Sequence, residues 1–351
     1  MFPHDPDHML AAVTHAAPFD YYRRLAEGPP LRFDAGLDCW LASGSGVPAV
    51  LEHPDLRVRP VGQPLPLHLI GTACGAIFAE LVRMNDGERH AGPKRLLMQR
   101  LAAVDLVRLH DDTARLASAH QPGSAAQLNQ LMFDLPLFAV AQLLGFAPAD
   151  FAHIACWTQE LVAALPVTAD RATIARAERA ASGLQAAFAS LLSDADAHQR
   201  ANLIGLLTQT CEATAGLLGN SVLALRTQGA PAPTLAIHNT RRFAACDVEL
   251  EGVTIRQDQM IVVLLAQDGL GFGHGVHRCP GQAVAQTIVA AILPLVEPTE
   301  TGPAALTLLV TAPATVPRLT APPETIAPLI EPPLAMVTAP VLVIARDTLS
   351  V

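Results

Sequence analysis

Charged and aromatic side chains are scarce in this chain of 351 residues. Only 16% of the residues are charged and 4% are aromatic. The 32 acidic residues outnumber the 23 lysines and arginines, and the lysines and arginines form no basic block. Because binding to phosphates needs clustered Lys and Arg, we expect no nucleic acid partner. The 51% of hydrophobic residues predicts a large buried core and excludes a disordered tail, a collagen or a coiled coil.

Long apolar runs and secretion signals are also missing. Residues 1–10 carry acids, histidines and prolines where a signal peptide has a basic region followed by an apolar one. The apolar stretches Val284–Val296 and Leu334–Ala345 are interrupted by Gln, Thr or Pro, and they fall short of the roughly 20 residues of a spanning helix. We therefore predict a cytoplasmic protein with no membrane partner.

No two of the six cysteines form a C-x-x-C pair. Zinc sites use such spacing and disulfide frameworks belong to secreted proteins, so neither is expected. Cys279 lies in a glycine-rich segment with its own chemistry. The other five are predicted to be small buried hydrophobes, namely Cys39, Cys74, Cys156, Cys211 and Cys246.

Apolar residues that recur at intervals of three and four predict that most of the chain is helical. The predicted helices are Arg95–Leu109, Leu128–Leu144, Ile174–Leu192 and Leu203–Leu225. At 1.5 Å per residue the last is about 35 Å long, which is typical of a helix through the middle of a domain. Short strands are predicted at Asp38–Leu41, Asp247–Leu250, Val253–Ile255, Met260–Leu265, Thr307–Thr311 and Val341–Ala345. The fold class is therefore mainly α with a minor β part.

The composition changes at Pro298, and ten prolines occur between there and Pro340. Proline fixes φ and removes a hydrogen-bond donor, so residues 298–351 are expected to form turns and short edge strands. A loosely attached tail is the alternative. We expect residues 1–351 to form a single domain, with a helical bulk, a small sheet part and this proline-rich end.

The segment Gly271–Gly281 precedes a helical run at residues 282–292. Its first five residues include three glycines, which allow the backbone to pass close to a flat, bulky group. Cys279 then lies at the entrance of the helix, where unpaired N–H groups and the helix dipole stabilise a thiolate. Such a thiolate is a ligand for iron. A glycine-rich turn around a buried cysteine is the alternative.

This segment resembles the heme-binding signature of the cytochrome P450 superfamily, Phe-Gly-x-Gly-x-His-x-Cys-x-Gly, at every fixed position. Other parts of the chain between about Phe19 and Leu295 are similar to the family's N-terminal helix, the entry to its C helix and the strand region after its K helix. The resemblance implies a cytochrome P450-like fold of the soluble bacterial type, with heme b (iron protoporphyrin IX) as cofactor. It assigns cofactor binding to Phe272, Gly273, His277, Cys279 and Gly281, with Cys279 as the axial thiolate ligand of the iron.

The heme propionates need cationic or hydrogen-bond-donating partners. By motif position, the resemblance assigns this role to His90, Arg242 and His277, with Lys94 as a further candidate. A Gly-Pro pair lies between His90 and Lys94, and proline suits only the first turn of a helix. The sequence therefore leaves open whether one helix face carries both. An ordinary solvated charge is the alternative for each.

The long predicted helix resembles the family's I helix, which crosses the distal face of the heme. The resemblance places Glu212 at the acid position, where it would supply protons to bound dioxygen, and it includes Ala213 and Thr214 in the same catalytic pattern. Ala213 stands where the family has a hydroxyl residue, and Gln209-Thr210 replaces the usual Ala-Gly pair. Alternatively, Glu212 is a helix residue satisfied by a neighbour.

Two stretches that are common in the family have no room in this chain. The residues between Leu225 and His238 are too few for the J and K helices with their Glu-x-x-Arg motif, and Gln267–Leu270 replaces the long meander before the heme loop. In the family these parts brace the heme-thiolate loop, and a ligand without such support is usually weaker. The chain therefore resembles an atypically short member, for which heme retention and redox-partner docking are open questions.

Two functions are compatible with these features. The first is a heme-thiolate monooxygenase that oxidises a small apolar substrate with dioxygen. A ferredoxin or flavodoxin-type electron donor would dock on a basic patch of Lys94, Arg95, Arg100 and Arg278. The second is a heme-thiolate protein that uses peroxide, rearranges its substrate or acts as an inactive heme-binding partner. We prefer the first because the heme loop is intact, and analogy at the level of the fold suggests secondary metabolism. The segment Leu65–Ile70 either caps the substrate pocket or forms a surface loop.

Overall fold

The computed structural model describes residues 5–13, 15, 18–120, 125–228, 236–267, 269–296, 306–309 and 343–346. These residues are mostly helical with a small sheet part, which confirms the predicted fold class. The helices are α1 (Met9–Ala12), α2 (Pro18–Ala26), α3 (Gly46–Glu52), α4 (Ala73–Glu80), α5 (Glu88–Ala102), α6 (Leu106–Ala119), α7 (Ala125–Leu144), α8 (Phe151–Ala163), α9 (Arg171–Leu191), α10 (Ala197–Gln228) and α11 (Gln282–Val296).

The longest of these helices, α10, organises the helical core. It spans 32 residues, extends the predicted helix in both directions and packs against α7, α8 and α11. Its inward face is buried through most of its length, including Ile204, Leu207, Leu218 and the hydroxyl residues Thr214 and Ser221. Burial of this apolar stripe, rather than helix propensity, supplies most of the stability of such a helix.

The predicted helix Arg95–Leu109 was wrong, because the chain forms two helices there. α5 ends at Ala102, and α6 begins after Asp105, whose carboxylate accepts hydrogen bonds from the N–H groups of Val107 and Arg108 at 3.0 Å each. This is an N-cap interaction, which satisfies orphan donors at the start of a new helix. Apolar periodicity continues across the junction and hides the break.

A five-stranded sheet lies beside the helices. Its strands are β1 (Leu31–Asp34), β2 (Cys39–Ala42), β3 (Leu56–Arg57), β4 (Asn239–Ala244) and β7 (Met260–Leu264), in the order β1-β2-β7-β4-β3. β2 and β7 are parallel, and the other neighbouring pairs are antiparallel. β7 is almost entirely buried, and the glycine-rich loop follows it. The sheet therefore holds the start of this loop beside β4.

Two small hairpins complete the described strands. β5 (Val248–Leu250) pairs with β6 (Val253–Ile255), as predicted. β8 (Leu306–Leu309) pairs with β9 (Val343–Arg346), close to the predicted strands. The other predictions for the proline-rich segment 298–351 lie outside the described residues.

The cysteines are free, and their burial only partly follows the prediction. Cys39, Cys74 and Cys211 are buried, as expected. The prediction was wrong for Cys156 and Cys246, which are exposed because one lies on an outward face of α8 and the other in the bend that follows β4. Within the described residues, the helices lack the length and apolar content that would let one of them cross a membrane.

Candidate active site

The glycine-rich loop closes on itself before α11 begins. The backbone N–H of Cys279 donates to the carbonyl of Phe272 at 2.9 Å, which joins the two ends of the motif. Gly273 has φ +75° and Gly275 has φ +64°, in the left-handed region that glycine adopts without strain. The residues from Gly275 to His277 form one 3-10 turn. The motif glycines are therefore required by the backbone path of the loop.

The thiol of Cys279 lies just before the N-terminus of α11. The Gly281 carbonyl accepts the N–H of Ala285, and a methyl group built on Gly281 would lie 4.0 Å from the Cys279 sulfur. Cys279 is exposed on one side, and desolvation by the protein on its other sides raises the pKa of its thiol. The Gly281 N–H and the positive charges of Lys94 and Arg278 act in the opposite direction. The Gly281 N–H, Lys94 and Arg278 are therefore the groups that favour the thiolate form of Cys279.

Helix α5 carries both His90 and Lys94, which settles the question that the sequence left open. The helix begins at Glu88 and continues through Pro93, so the two residues lie one turn apart, and both are buried. Lys94 does more than present a charge, because its Nζ donates to the carbonyl oxygens of Val276 at 3.2 Å and Arg278 at 2.6 Å. Lys94 thereby ties α5 to the loop that carries Cys279.

Three of the predicted heme-binding residues meet in one cluster with Asp86. The imidazole rings of His90 and His277 lie 4.1 Å apart, and His277 Nε2 donates to Asp86 Oδ1 at 3.0 Å. The other carboxylate oxygen of Asp86 accepts the Val58 N–H at 3.0 Å. Arg242 reaches the cluster from β4, and the charge of Asp86 acts on its guanidinium. The cluster thus joins α5, the loop and the sheet.

The electrostatics of this cluster favour an added anion. Burial, together with the charges of His277 and Lys94, lowers the pKa of His90 to about 4, and burial lowers the pKa of Arg242 to about 10. Among the described residues, His90 Nε2 is buried without a hydrogen-bond partner. A buried polar atom without a partner is costly, and an anionic oxygen at this place would remove the cost. The residues present therefore fit the propionate groups of a heme.

The resemblance implies a single protein ligand to heme iron, and Cys279 is the residue that would provide it. Among the described residues, no three His, Cys, Asp or Glu side chains converge as a multidentate metal site.

The predicted distal residues Glu212, Ala213 and Thr214 lie on α10. Thr214 is buried, whereas Glu212 and Ala213 are half-buried. Burial raises the pKa of Glu212, and the positive charge of Arg83 acts to lower it. Arg83 lies on a 3-10 turn, Val82–Met84, between α4 and α5. Sequence reasoning missed Arg83, although one arginine within the apolar run Leu81–Met84 was a visible signal.

Gln209 and Thr210, which the resemblance aligns with the family's Ala-Gly pair, both bond back to their own helix. Thr210 Oγ1 donates to the Leu206 carbonyl at 2.8 Å, and Gln209 Nε2 donates to the Gly205 carbonyl at 2.9 Å. Such side-chain bonds compete with the helix for its carbonyl groups and often bend it. Ala213, which the resemblance aligns with a hydroxyl residue of the family, has no hydroxyl group.

The segment Leu65–Ile70, predicted either to cap the substrate pocket or to form a surface loop, is partly buried and partly exposed. A 3-10 turn covers Leu67–Leu69, and the His68 Nε2 donates to the Ala164 carbonyl at 3.0 Å. Leu69 is fully buried, whereas Leu67 and Ile70 are exposed. The segment is thus anchored at its middle and presents apolar side chains at its surface.

Comparison with known proteins identifies curated relatives that match about half of the chain. The chain is 26% identical over 229 residues to the vitamin D(3) 25-hydroxylase of Pseudonocardia autotrophica, covering 49% of this chain and 57% of that one. It is 22% identical over 223 residues to the biotin biosynthesis cytochrome P450 of Bacillus subtilis strain 168, covering 45% and 56%. The chain thus spans somewhat more than half the length of these curated relatives. No family model matches it.

The fold agrees with these relatives. The structure superposes on P450BioI, solved in complex with hexadec-9Z-enoic acid ligated acyl carrier protein, with a TM-score of 0.62 at 19% identity. The match covers 79% of this chain and 90% of that one. The predicted cytochrome P450-like fold is therefore confirmed, with α10 as the long helix and α11 as the helix that follows the cysteine loop.

Proposed function

We propose that the chain is a heme-thiolate monooxygenase of the cytochrome P450 type, which oxidises an apolar small molecule with dioxygen. The observation that carries this proposal is the complete cysteine loop together with a buried, partly unsatisfied cluster beside it. When bound, the heme (heme b in our proposal) supplies dioxygen binding and cleavage of the O–O bond. The protein supplies the thiolate, the anchoring of the cofactor and the protons.

Each residue of the loop cluster has a distinct task in this proposal. Cys279 provides the thiolate, and Lys94 keeps the loop at its place through the two carbonyl groups that it contacts. His90, His277 and Arg242 hold the propionates, with Asp86 orienting the His277 ring. Gly273 and Gly281 have no side chain that would separate the loop backbone from the cofactor, and Phe272 closes the loop through its carbonyl, which accepts the Cys279 N–H.

On the distal side we assign proton delivery to Glu212. A general acid works best when its pKa lies near the working pH, and burial raises the pKa of Glu212 in that direction. Ala213 supplies no hydroxyl for this task. Thr214 has a hydroxyl but is buried in α10.

A ferredoxin or flavodoxin-type protein is the electron donor in this proposal. Arg95, Arg100 and Arg278 are exposed and remain candidates for the docking patch. Lys94 is withdrawn from it, because its side chain is buried and bonded to the loop. Secondary metabolism as the setting stays a prediction from the sequence.

A second candidate function rests on α10. The side chains of Gln209 and Thr210 occupy the place of a small Ala-Gly pair, and Ala213 lacks a hydroxyl group. These features favour a heme-thiolate protein that uses peroxide, rearranges its substrate or serves as an inactive heme-binding partner. The choice of oxidant separates the two candidates.

The test is the absorption spectrum of the purified protein, reduced and exposed to carbon monoxide, for the wild type and Cys279→Ser. We expect a red-shifted thiolate-type Soret band in the wild type and its loss in the variant. A histidine-type band or no heme uptake in the wild type would overturn heme-thiolate ligation. If the thiolate-type band is present, the oxidant separates the two candidates. Turnover with dioxygen, a reductase system and NAD(P)H supports the monooxygenase, whereas turnover with peroxide alone supports the second candidate.

A further inference from the structure

A cavity of about 470 Å³ lies where α5 ends and α6 begins. Its lining comes from the end of α5, the first two turns of α6, the last two turns of α7 and Leu206 of α10. The described residues that line it include none from the cysteine loop and none of the cluster formed by Asp86, His90, His277 and Arg242. Cavities of this size hold small molecules in many proteins.

One buried hydroxyl group in this lining is left without a partner. Thr113 is 1% exposed, and its Oγ1 forms no hydrogen bond within the described part of the chain. Hydroxyl groups on other helices, those of Ser118, Thr158, Thr210 and Ser221, each donate to the carbonyl four residues earlier at 2.7 to 2.8 Å. A buried polar atom without such a bond is costly, and a polar group of a ligand in the cavity would remove the cost.

The charged residues of the lining cancel one another. Two arginines, Arg100 and Arg108, and two aspartates, Asp105 and Asp112, contribute to it. Arg108 Nε lies 3.6 Å from Asp112 Oδ2, and the Asp105 carboxylate accepts two backbone N–H groups of α6. Arg100, Asp105 and Arg108 are exposed, so they mark the mouth of the cavity. Because the lining offers no excess of one charge, it favours a neutral ligand over an ion.

The other lining residues are apolar, apart from Thr113 and one amide. Leu109, Ala139 and Leu144 are buried and supply the inner wall. Gln142 is half-buried, and among the described residues its side-chain amide has no recorded hydrogen bond. Apolar walls with a few uncommitted polar groups are typical of sites that bind a mostly apolar molecule and fix its orientation.

From this cavity we infer a second small-molecule site, which binds a neutral apolar molecule that carries one hydroxyl group. The hydroxyl group of the ligand bonds to Thr113 Oγ1, with the Gln142 amide as a further partner. The apolar body of the ligand lies against the leucines of α6 and α7. The inference goes beyond the proposed function, because it uses neither the cysteine loop nor the distal residue Glu212.

The test is equilibrium dialysis of the heme-loaded full-length protein with two neutral probes, 2-naphthol and 2-methylnaphthalene, which differ by a hydroxyl group in place of a methyl group. Thr113→Val keeps the shape of the side chain but removes its hydroxyl group. It should weaken the binding of 2-naphthol about 3- to 10-fold, the effect of one hydrogen bond, and leave the binding of 2-methylnaphthalene unchanged. The ratio of the two affinities should therefore fall by the same factor.

Two further variants sharpen the result. Ala139→Leu fills the cavity from α7 and should weaken the binding of both probes by roughly tenfold or more. Thr158→Val is the matched control, since Thr158 is a fully buried threonine of α8 whose hydroxyl group donates to the Ile154 carbonyl. It should bind both probes as the wild type does, yet unfold at a lower urea concentration. Thr113→Val should unfold no earlier than the wild type, because its hydroxyl group has no bond to lose.

A wild-type ratio of affinities in Thr113→Val, or no binding of either probe by the wild type, would overturn the inference. It would also fall if all binding shifted the Soret band and persisted in Ala139→Leu, since the probes would then bind at the heme. Failure of the proposed function gives a different result. A histidine-type spectrum would refute heme-thiolate ligation and leave the effects of Thr113→Val and Ala139→Leu as expected.

Discussion

The hydrogen bonds of Lys94 predict that a single substitution on α5 will loosen the cysteine loop without disturbing the fold. Lys94→Met keeps the aliphatic stem of the side chain but removes the ammonium that contacts the Val276 and Arg278 carbonyls. A hydrogen bond to a charged group contributes about 1.5–3 kcal/mol. Burial of the charged ammonium is itself unfavourable, since desolvation lowers the pKa of Lys94. Lys94→Met removes this cost, which offsets part of the loss of the two hydrogen bonds.

We therefore expect a net cost of about 2–3 kcal/mol to the loop, which is roughly a 30- to 150-fold shift toward a displaced cysteine. The assay is the thiolate-type Soret band of the reduced, carbon monoxide-bound protein during a urea titration. In Lys94→Met, half of the band should be lost at a clearly lower urea concentration than in the wild type. Helix content, followed by circular dichroism, should change little over that range.

Arg95→Met is the matched control, because Arg95 is the next residue on the same helix and is exposed. It should lose the thiolate band at the wild-type urea concentration. A Lys94→Met protein that keeps the band as long as the wild type would refute the reasoning, since the loop would then be held by other contacts. Loss of the band together with the helix signal would mean that Lys94 supports the whole fold instead.

Three other predictions concern stability, each read from the free energy of unfolding in urea. Asn202→Leu should lose about 2–4 kcal/mol, because the buried Asn202 side chain accepts the Val82 N–H and donates to the Glu80 carbonyl at 2.8 Å each, and both groups would lose their partner. Burial lowers the pKa of His238 to about 4, so the unfolded chain binds its proton first as the pH falls. Acidification from pH 7 toward pH 4 should therefore destabilise the wild type, by about 3 kcal/mol at most from this group, and His238→Gln should show a smaller loss. Gly183→Ala should cost about 1–3 kcal/mol, since its new methyl group would lie 2.8 Å from Trp157 Cε2, whereas Gly62→Ala, with nothing within 4 Å, should cost far less.

The cysteine loop was predictable from the sequence because its chemistry is contiguous. Gly273, Gly275 and Cys279 lie within a few residues of one another, and the backbone itself dictates where glycine is required. The long helix was also predictable, since its apolar stripe continues over many turns. Its ends were not, because polar residues there extend α10 beyond the apolar pattern to Ala197 and Gln228.

The tasks of distant residues were not readable in the same way. The sequence marked Lys94 as a charge for a propionate, but the structure brings its ammonium to loop carbonyls more than 180 positions away. Arg83 was missed, since its effect on the pKa of Glu212 depends on the 3-10 turn packing beside α10. Both cases depend on which elements pack together, and local patterns carry no information about that.

The contacts that brace the cysteine loop indicate how it would be held in place in the proposed heme protein. Its sequence has no room for the Glu-x-x-Arg helix or the long meander that support this loop in the family. In their place, the described contacts reach the loop from α5 through Lys94, from Asp86 through His277, and from α3 through the pair of Glu52 and His274 at 2.8 Å. The support thus comes from elements that precede the loop by about 180 to 220 positions in the sequence. Loop stability should therefore depend on the packing of α3 and α5, and variants there should affect thiolate ligation more than their surface positions suggest.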